Sequence, residues 1–353
     1  MNNFPALAVF RGRVASGLTD VTHDPEALDS EGFWAVVADF EGHLTCARFR
    51  DVRPLRRAAQ PVAWRGPAPQ QWSSSLDRDA YTTGVQKIRE HIAAGDVYQT
   101  NLCRILTAPV GPDADIKGLA DRLSARHHAP YAAMIRLPSH GIEVASTSPE
   151  LFLRRDGQII QSGPIKGTGR TADDLLEKDH AENVMIVDLV RNDLSQVCET
   201  GSVSVPRLCS VEQHPGLVHL VSIVRGALSE NTGWKQLFAA AFPPGSVTGT
   251  PKHSALGIIR SLETSPRGPY CGGIGWVDAD RHRGELAVGI RTFWIDRTRS
   301  RLCFGTGAGI TWGSDPHREW DETKLKAERL VSIASNGGPS GPDGRPRRAP
   351  SRP

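Results

Sequence analysis

Helical periodicity is confined to a few stretches of this chain. Elsewhere the apolar residues come in short runs broken by turn residues. Phe33-Trp34-Ala35-Val36-Val37 and His43 to Phe49 read as two strands joined through Glu41-Gly42. Tyr81, Val85, Ile88 and Ile92 predict a helix from Asp77 to Ala94 that Gly95 ends. A strand from Val97 to Leu106, a helix over 115–128 and four strands follow (Ala132–Leu137, Ile142–Ser146, Leu151–Arg154, Gln158–Gln161), with Asp156-Gly157 as a hairpin turn. The longest helical pattern covers 173–197. Val184, Ile186, Val187, Leu189 and Val190 form its expected buried side, and Asp173-Asp174 suit its N-terminus. Further strands are expected at 202–209, 217–228, 271–278, 285–295 and 301–305, and helices at 234–241, 252–263 and from Asp315-Pro316 to about Ile333. Residues 52–75, rich in Arg, Pro, Gly and Ser, read as a linker, and the chain from Ser335 on reads as disordered. Strands in meander-like runs predict an α+β class.

Composition narrows the classes. The chain has 353 residues, 39% hydrophobic and 23% charged, which excludes a disordered or fibrous polymer. Its 42 basic and 39 acidic residues leave a net charge of only +3, and Arg345, Arg347, Arg348 and Arg352 account for that excess. A nucleic-acid partner is therefore not expected. No apolar run reaches the ~20 residues of a membrane helix, and Arg11 and Arg13 follow rather than precede the first apolar run, so neither a membrane span nor a signal peptide is expected. Six cysteines without a CxxC pair point to free thiols in a reducing cytoplasm and to no cysteine zinc site.

Two familiar motifs fail. The segment from Gly245 to Ser254 has Thr250 where a phosphate loop needs glycine, and Gly305-Thr-Gly307-Ala-Gly309-Ile310 lacks the last glycine of a dinucleotide fingerprint. More informative are carboxylates three residues apart: Glu319 and Glu322, with Lys326 on the same helix face, and Asp179 and Glu182 on the long helix. Two helices each offering such a pair would suit Mg²⁺, although solvated faces with i,i+4 ion pairs have the same spacing. Lys166 follows a strand, between Pro164 and two glycines. It is either an exposed loop lysine or one fixed in a pocket, where burial would free its amine as a nucleophile.

Taken together, the ordered blocks Gly95-Asp-Val-Tyr-Gln-Thr-Asn-Leu102, Ser148-Pro-Glu-Leu-Phe152, Pro164-Ile-Lys-Gly-Thr168, the run from Ala181 to Asp193, His219-Leu-Val-Ser222, the run from Phe242 to Lys252, Ile290-Arg-Thr292, Gly307-Ala-Gly-Ile310 and Glu319-Trp-Asp-Glu-Thr-Lys324 resemble the chorismate-utilising enzymes, the family of anthranilate, isochorismate and aminodeoxychorismate synthases. The resemblance runs from about Asp77 to Ile333. It implies two facing antiparallel β-sheets flanked by helices, with a cleft between two lobes. It also implies a shortened N-terminal region and linker (1–75), a chorismate-binding catalytic domain (76–334) and a tail (335–353). Lys166 where anthranilate synthases carry Ala, Gln99 where isochorismate synthases carry a water-activating Lys, and Cys271 where anthranilate synthases usually carry Tyr all resemble the aminodeoxychorismate synthase component I form. Anthranilate synthase component I or another chorismate-converting enzyme is the alternative.

The same resemblance implies the reaction and its residues. Chorismate would be aminated at C4 to 4-amino-4-deoxychorismate, on the way to p-aminobenzoate and folate. Glu150 is the implied acid, Lys166 the implied nucleophile, and His219 faces the ring. Glu182 and Glu322, with Glu319 and Asp179 directly or through water, would hold Mg²⁺ against the ring carboxylate. Arg291 and Lys326, the Ser246 hydroxyl, Cys271 and the backbone of Gly167, Thr168, Gly307 and Gly309 would bind substrate. No GxCxG block surrounds any cysteine, so ammonia is expected from a separate glutamine amidotransferase subunit. The short stretch before Gly95 argues against a bound tryptophan.

Overall fold

The computed structural model describes residues 4–55, 62–169, 171–214 and 217–336. The tail expected at 335–353 therefore lies, beyond Asn336, outside the described residues.

The 18 strands among the described residues belong to one antiparallel sheet. Its hydrogen-bonded path begins at Gln99–Pro109. It passes through Arg301–Ile310, Thr292–Asp296, Ile142–Ser148 and Tyr131–Leu137 to the N-terminal strand Leu7–Phe10. From there Arg13–Thr22, Leu44–Pro54 and Phe33–Ala38 carry it over to Gly273–Asp278, Arg283–Val288, Leu151–Asp156 and Ile159–Gly163. Leu217–Ala227 and Ser204–His214 close the far side. The four N-terminal strands thus join two halves of one sheet. The halves share an apolar interior in which Phe10, Phe33, Val37 and Phe49 meet Ile135, Val144 and Ile274. Alternating burial on each strand supplies that interior.

Among the described residues six α-helices cover the outside: α1 Arg78–Ala93, α2 Ile116–Ser124, α3 Glu177–Ser195, α4 Trp234–Ala241, α5 Lys252–Leu262 and α6 Pro316–Ala334. Asp77 caps α1 by accepting from Ala80 N, and Asp315 caps α6 by accepting from His317 N and Arg318 N. Tyr81, Val85 and Ile88 of α1 pack on Leu102 and Ile310, as their spacing predicts. No described helix is long and apolar enough to cross a membrane. All six cysteines are free, and all but Cys209 are buried.

The structure corrects the sequence reading at three places. Helix α3 begins at Glu177, because Ala172–Asp174 first makes a 3₁₀ turn, and Val184 is exposed rather than part of the buried side. Asn183 is buried instead: its Nδ2 donates to Leu220 O at 3.2 Å, next to a strand whose pairing is irregular. The strand expected over 285–295 is two strands, Arg283–Val288 and Thr292–Asp296. Past Val288, Gly289 N–H bonds Gly272 O while Gly289 O accepts from Cys271 N, two residues against one, and Arg291 turns with φ +53°. The described part of the 52–75 linker is packed. Trp64 Nε1 donates to Ala334 O at 2.7 Å, and Asn336 N donates to Pro67 O at 2.8 Å.

One buried cation ties the site's loops to the sheet. Arg267 donates to both Glu263 oxygens, to Val247 O and to Asn101 O, and its guanidinium lies 4.1 Å from the Phe40 ring centroid. Arg267→Met would leave the Glu263 carboxylate enclosed without its cation. We expect a loss of about 3–5 kcal/mol in urea unfolding, with activity falling in parallel.

Candidate active site

Lys166 lies on Ile165–Gly169, which pairs with Leu217–Ala227. The ladder skips Gly167: Lys166 faces Leu220, and Thr168 faces His219. Gly167 has φ +77°, and a Cβ there would come 2.9 Å from Asp179 Cβ. The glycine therefore lets the start of α3 approach the lysine. Lys166 Nζ donates to Ser246 O at 3.4 Å. Burial pushes its pKa down, the Glu182, Glu150 and Glu322 charges pull it up, and Lys326 pushes it further down.

Glu150 follows the turn Ser148-Pro149. Its N–H donates to Ser148 Oγ at 3.2 Å, and its carbonyl accepts from Val288 N at 3.1 Å. The side chain is only 4% exposed. Burial pushes its carboxyl up to about 7, against the opposing pull of the Ser246 side chain, the Lys166 charge and the Ile165 backbone. At neutral pH Glu150 is a half-protonated acid with a lysine in its field. A small cavity of about 20 Å³, room for one water, adjoins it beside Ser246 and Asp193.

The carboxylates of α3 and α6 lie across from Lys166. The Lys178 ammonium stands between them, 3.5 Å from Glu182 Oε1 and 3.9 Å from Glu319 Oε1. Burial pushes Glu319 up, and the neighbouring Glu322 adds to this. Two carboxylates with an ammonium between them form a site a divalent cation fits, with Lys178 standing in for its charge. Among the described residues no three acidic, His or Cys side chains already converge as metal ligands. Asp179 has one oxygen engaged, accepting from Leu176 N at 2.9 Å. Lys326 pairs with Glu322 at 2.6 Å and donates to Gly307 O at 3.2 Å.

The expected glycines line one strand. Gly307 pairs with Cys103 and Gly309 with Asn101, and a Cβ on Gly309 would come 2.4 Å from Gln99 Nε2. Gln99 is fully buried, and neither end of its amide has a hydrogen-bond partner. Sequence reasoning treated Gln99 only as the absence of a lysine. It missed Asn101, whose Nδ2 donates to the same Ser246 carbonyl that takes Lys166. The signal was available: 99 and 101 share a strand face with the glycines opposite.

Three expected residues sit at the margin. His219 is buried in the register between Thr168 and Glu212. Cys271 is buried beside Cys103 and Tyr270, with φ +65°, and its N–H holds Gly289 O at 3.1 Å. Arg291 stands at the strand break just beyond.

Comparison with known proteins agrees with this geometry. A family model described as chorismate binding enzyme matches residues 38–332. Anthranilate synthase component 1 of Streptomyces coelicolor is 37% identical over 302 residues, covering 79% of this chain and 58% of that protein. Aminodeoxychorismate synthase component 1 of Escherichia coli is 34% identical over 318 residues, covering 84% of this chain and 68% of that protein. An anthranilate synthase component 1 of Haloarcula marismortui is 38% identical, and this chain spans 54% of it, little more than half its length. Among solved structures, anthranilate synthase component I of Streptococcus pneumoniae superimposes with a TM-score of 0.77 at 20% identity, covering 94% of this chain and 93% of that one. An isochorismate synthase of Bacillus anthracis gives 0.76 at 25% identity, covering 93% and 95%. The folded-over sheet, the lysine and acid sharing Ser246, and a family match over most of the length lead to one conclusion: this chain belongs to the chorismate binding enzyme family.

Proposed function

We propose that the chain aminates chorismate at C4 to give 4-amino-4-deoxychorismate, a step toward p-aminobenzoate and folate, with Mg²⁺ bound and ammonia supplied by a separate glutamine amidotransferase subunit. The observation that carries this reading is the half-buried Lys166 amine in the field of the buried Glu150 acid, both gathered on Ser246. The neutral amine forms a bond to ring C2, the ring double bonds shift, and the C4–O bond breaks as Glu150 gives its proton to the departing oxygen, which leaves as water. Ammonia then adds at C4, the double bonds shift back, the C2–N bond to Lys166 breaks, and the surplus proton returns to Glu150. Arg291 and Lys326 hold carboxylates, and the backbone of Gly167, Thr168, Gly307 and Gly309 allows close approach to the ring. Cys271 and His219 border the ring site. Glu182 and Glu322, with Glu319 and Asp179, would hold Mg²⁺, which when bound supplies charge to offset the ring carboxylate.

The named side chains fall between Gln99 and Arg291 and on α6, inside the 76–334 span we assign to catalysis. Six free thiols suit the reducing cytoplasm. Anthranilate synthesis is the second reading, because relatives with that name are as similar as those that aminate at C4. Incubation with chorismate, Mg²⁺ and ammonium separates them. Appearance of p-aminobenzoate only after the aminodeoxychorismate-cleaving lyase is added supports our reading. Anthranilate formed without the lyase overturns it. Glu322→Gln should raise the Mg²⁺ concentration for half-maximal rate at least about a hundredfold. An unchanged Mg²⁺ titration would remove Glu322 from the metal site.

A further inference from the structure

Helix α3 carries an acid at its unfavourable end. Asp193 lies in the last turn of α3, where the helix dipole opposes a carboxylate, and that turn holds no basic residue. The residue is only 5% exposed. Its counterion comes from another element. Lys252, the first residue of α5, places Nζ 2.8 Å from Asp193 Oδ2. The same Nζ donates to Ala241 O, at the end of α4, at 3.1 Å. One ammonium therefore joins both ends of the loop 242–251 to the end of α3.

That loop carries Ser246. It is buried from Pro244 to Gly249, which a loop tolerates only when its backbone is satisfied. Every carbonyl from 244 to 248 accepts a hydrogen bond. Arg267 donates to Val247 O, Asn101 N–H to Thr248 O, and both Asn101 Nδ2 and Lys166 Nζ to Ser246 O. The other two bond within the loop: Thr248 N donates to Gly245 O, and Val247 N and Thr248 Oγ1 donate to Pro244 O. A Cβ on Gly245 would overlap Leu189 Cδ2, so the loop lies directly on α3. The Ser246 side chain hydrogen-bonds the Glu150 carboxyl. Glu150, Ser246 and Asp193 share the wall of the one small cavity described above.

We propose that Asp193 and Lys252 are positioning residues for the Glu150 acid: their ion pair clasps the loop 242–251 to α3 and so keeps the Ser246 hydroxyl on the Glu150 carboxyl. The part given to Glu150 rests on the amination reading. The clasp itself rests on the ion pair and the buried loop. The groups that act on Glu150 come from three directions: Lys166 and the Ile165 N–H from the strand Ile165–Gly169, Ser246 from the loop, and Asp193 across the cavity. Lys252→Met opens the clasp. A retreating Ser246 no longer favours the ionised carboxyl, and an Asp193 without its cation does not favour it either, so Glu150 keeps its proton to higher pH.

Kinetics with chorismate and ammonium across pH, and hydrogen exchange of the resting protein, test this. Lys252→Met should lower kcat about 10- to 100-fold with KM within about threefold, and should move the alkaline fall of kcat/KM up by about half a pH unit or more. Lys252→Arg, which can reach the same two acceptors, should return kcat to within about threefold of the parent and the alkaline fall to its parent position. Ser246→Ala should reproduce the shift, and adding Lys252→Met to it should move the fall no further. Amide exchange over 245–249 should quicken about tenfold in Lys252→Met and stay as in the parent over 142–148. Asp193→Asn, which keeps an acceptor for Lys252, should quicken it about threefold and serves where Lys252→Met does not fold. The proposal is overturned if loop exchange is unchanged in either variant that folds, if the alkaline fall stays at the parent pH in Lys252→Met, or if the two shifts add. If the loop opens in Lys252→Met but the parent does not convert chorismate, the clasp stands and the chemistry assigned to Glu150 falls.

Discussion

Lys166→Ala is expected to lower aminodeoxychorismate formation at least about a thousandfold, ~4 kcal/mol of transition-state stabilisation, because the group that opens the C4 position would be gone. Chromatographic product analysis with saturating ammonium is the check. Some anthranilate is expected to appear in this variant, since Glu150 and the carboxylates of α3 and α6 remain. Chorismate binding should change far less than turnover, which separates a nucleophile from an anchor. Lys166→Met, which keeps the length of the stem, is the companion variant for folding. Turnover within tenfold of the parent in both variants would refute the covalent role.

Glu150→Gln carries the second large effect. A glutamine keeps the shape and cannot supply a proton, so kcat should drop about 10²–10⁴-fold. The pH profile gives an independent signature. With its carboxyl pushed up to about 7, the parent holds the acid form below that pH and loses it above, so kcat/KM should fall on the alkaline side. In Glu150→Gln that limb should vanish. Stability follows with a definite sign. The folded carboxyl titrates near 7, against 4.5 as its ordinary value, so its contribution is complete below about pH 4.5 and is lost as pH rises through 7. At pH 8 the neutral amide should therefore be more stable than the parent, by up to about 3 kcal/mol. Thermal melts of both proteins at pH 5 and pH 8 would show it, and an equal gap at the two pH values would contradict the assignment.

Local signals on the sequence were good guides where one face of an element alone decides its fate. The Tyr81, Val85, Ile88 stripe of α1 and the Asp156-Gly157 hairpin are where their spacing puts them. They failed where a partner remote in sequence takes over a backbone group. Gly289 looked like strand interior, but Cys271 and Gly272 both bond it from the neighbouring strand, and two residues later Arg291 turns with φ +53°. Val184 looked core-facing until Asn183 was needed to satisfy Leu220 O. The carboxylates and lysine of the site were recognisable as residue types, with 319, 322 and 326 in one helical register. Their joint position was not, because Lys166, Glu150 and Ser246 lie on separate turns that only the folded sheet brings together.

The route of the sheet also governs how this chain can come to its native state. Leu7–Phe10 pairs with Tyr131–Leu137, and Phe33–Ala38 pairs with Gly273–Asp278. These two strands therefore wait for partners more than a hundred and more than two hundred residues later in the chain. Such long loop closures make for slow refolding and leave apolar strand edges open to other chains during synthesis. Recovery after dilution from denaturant should accordingly fall as protein concentration rises.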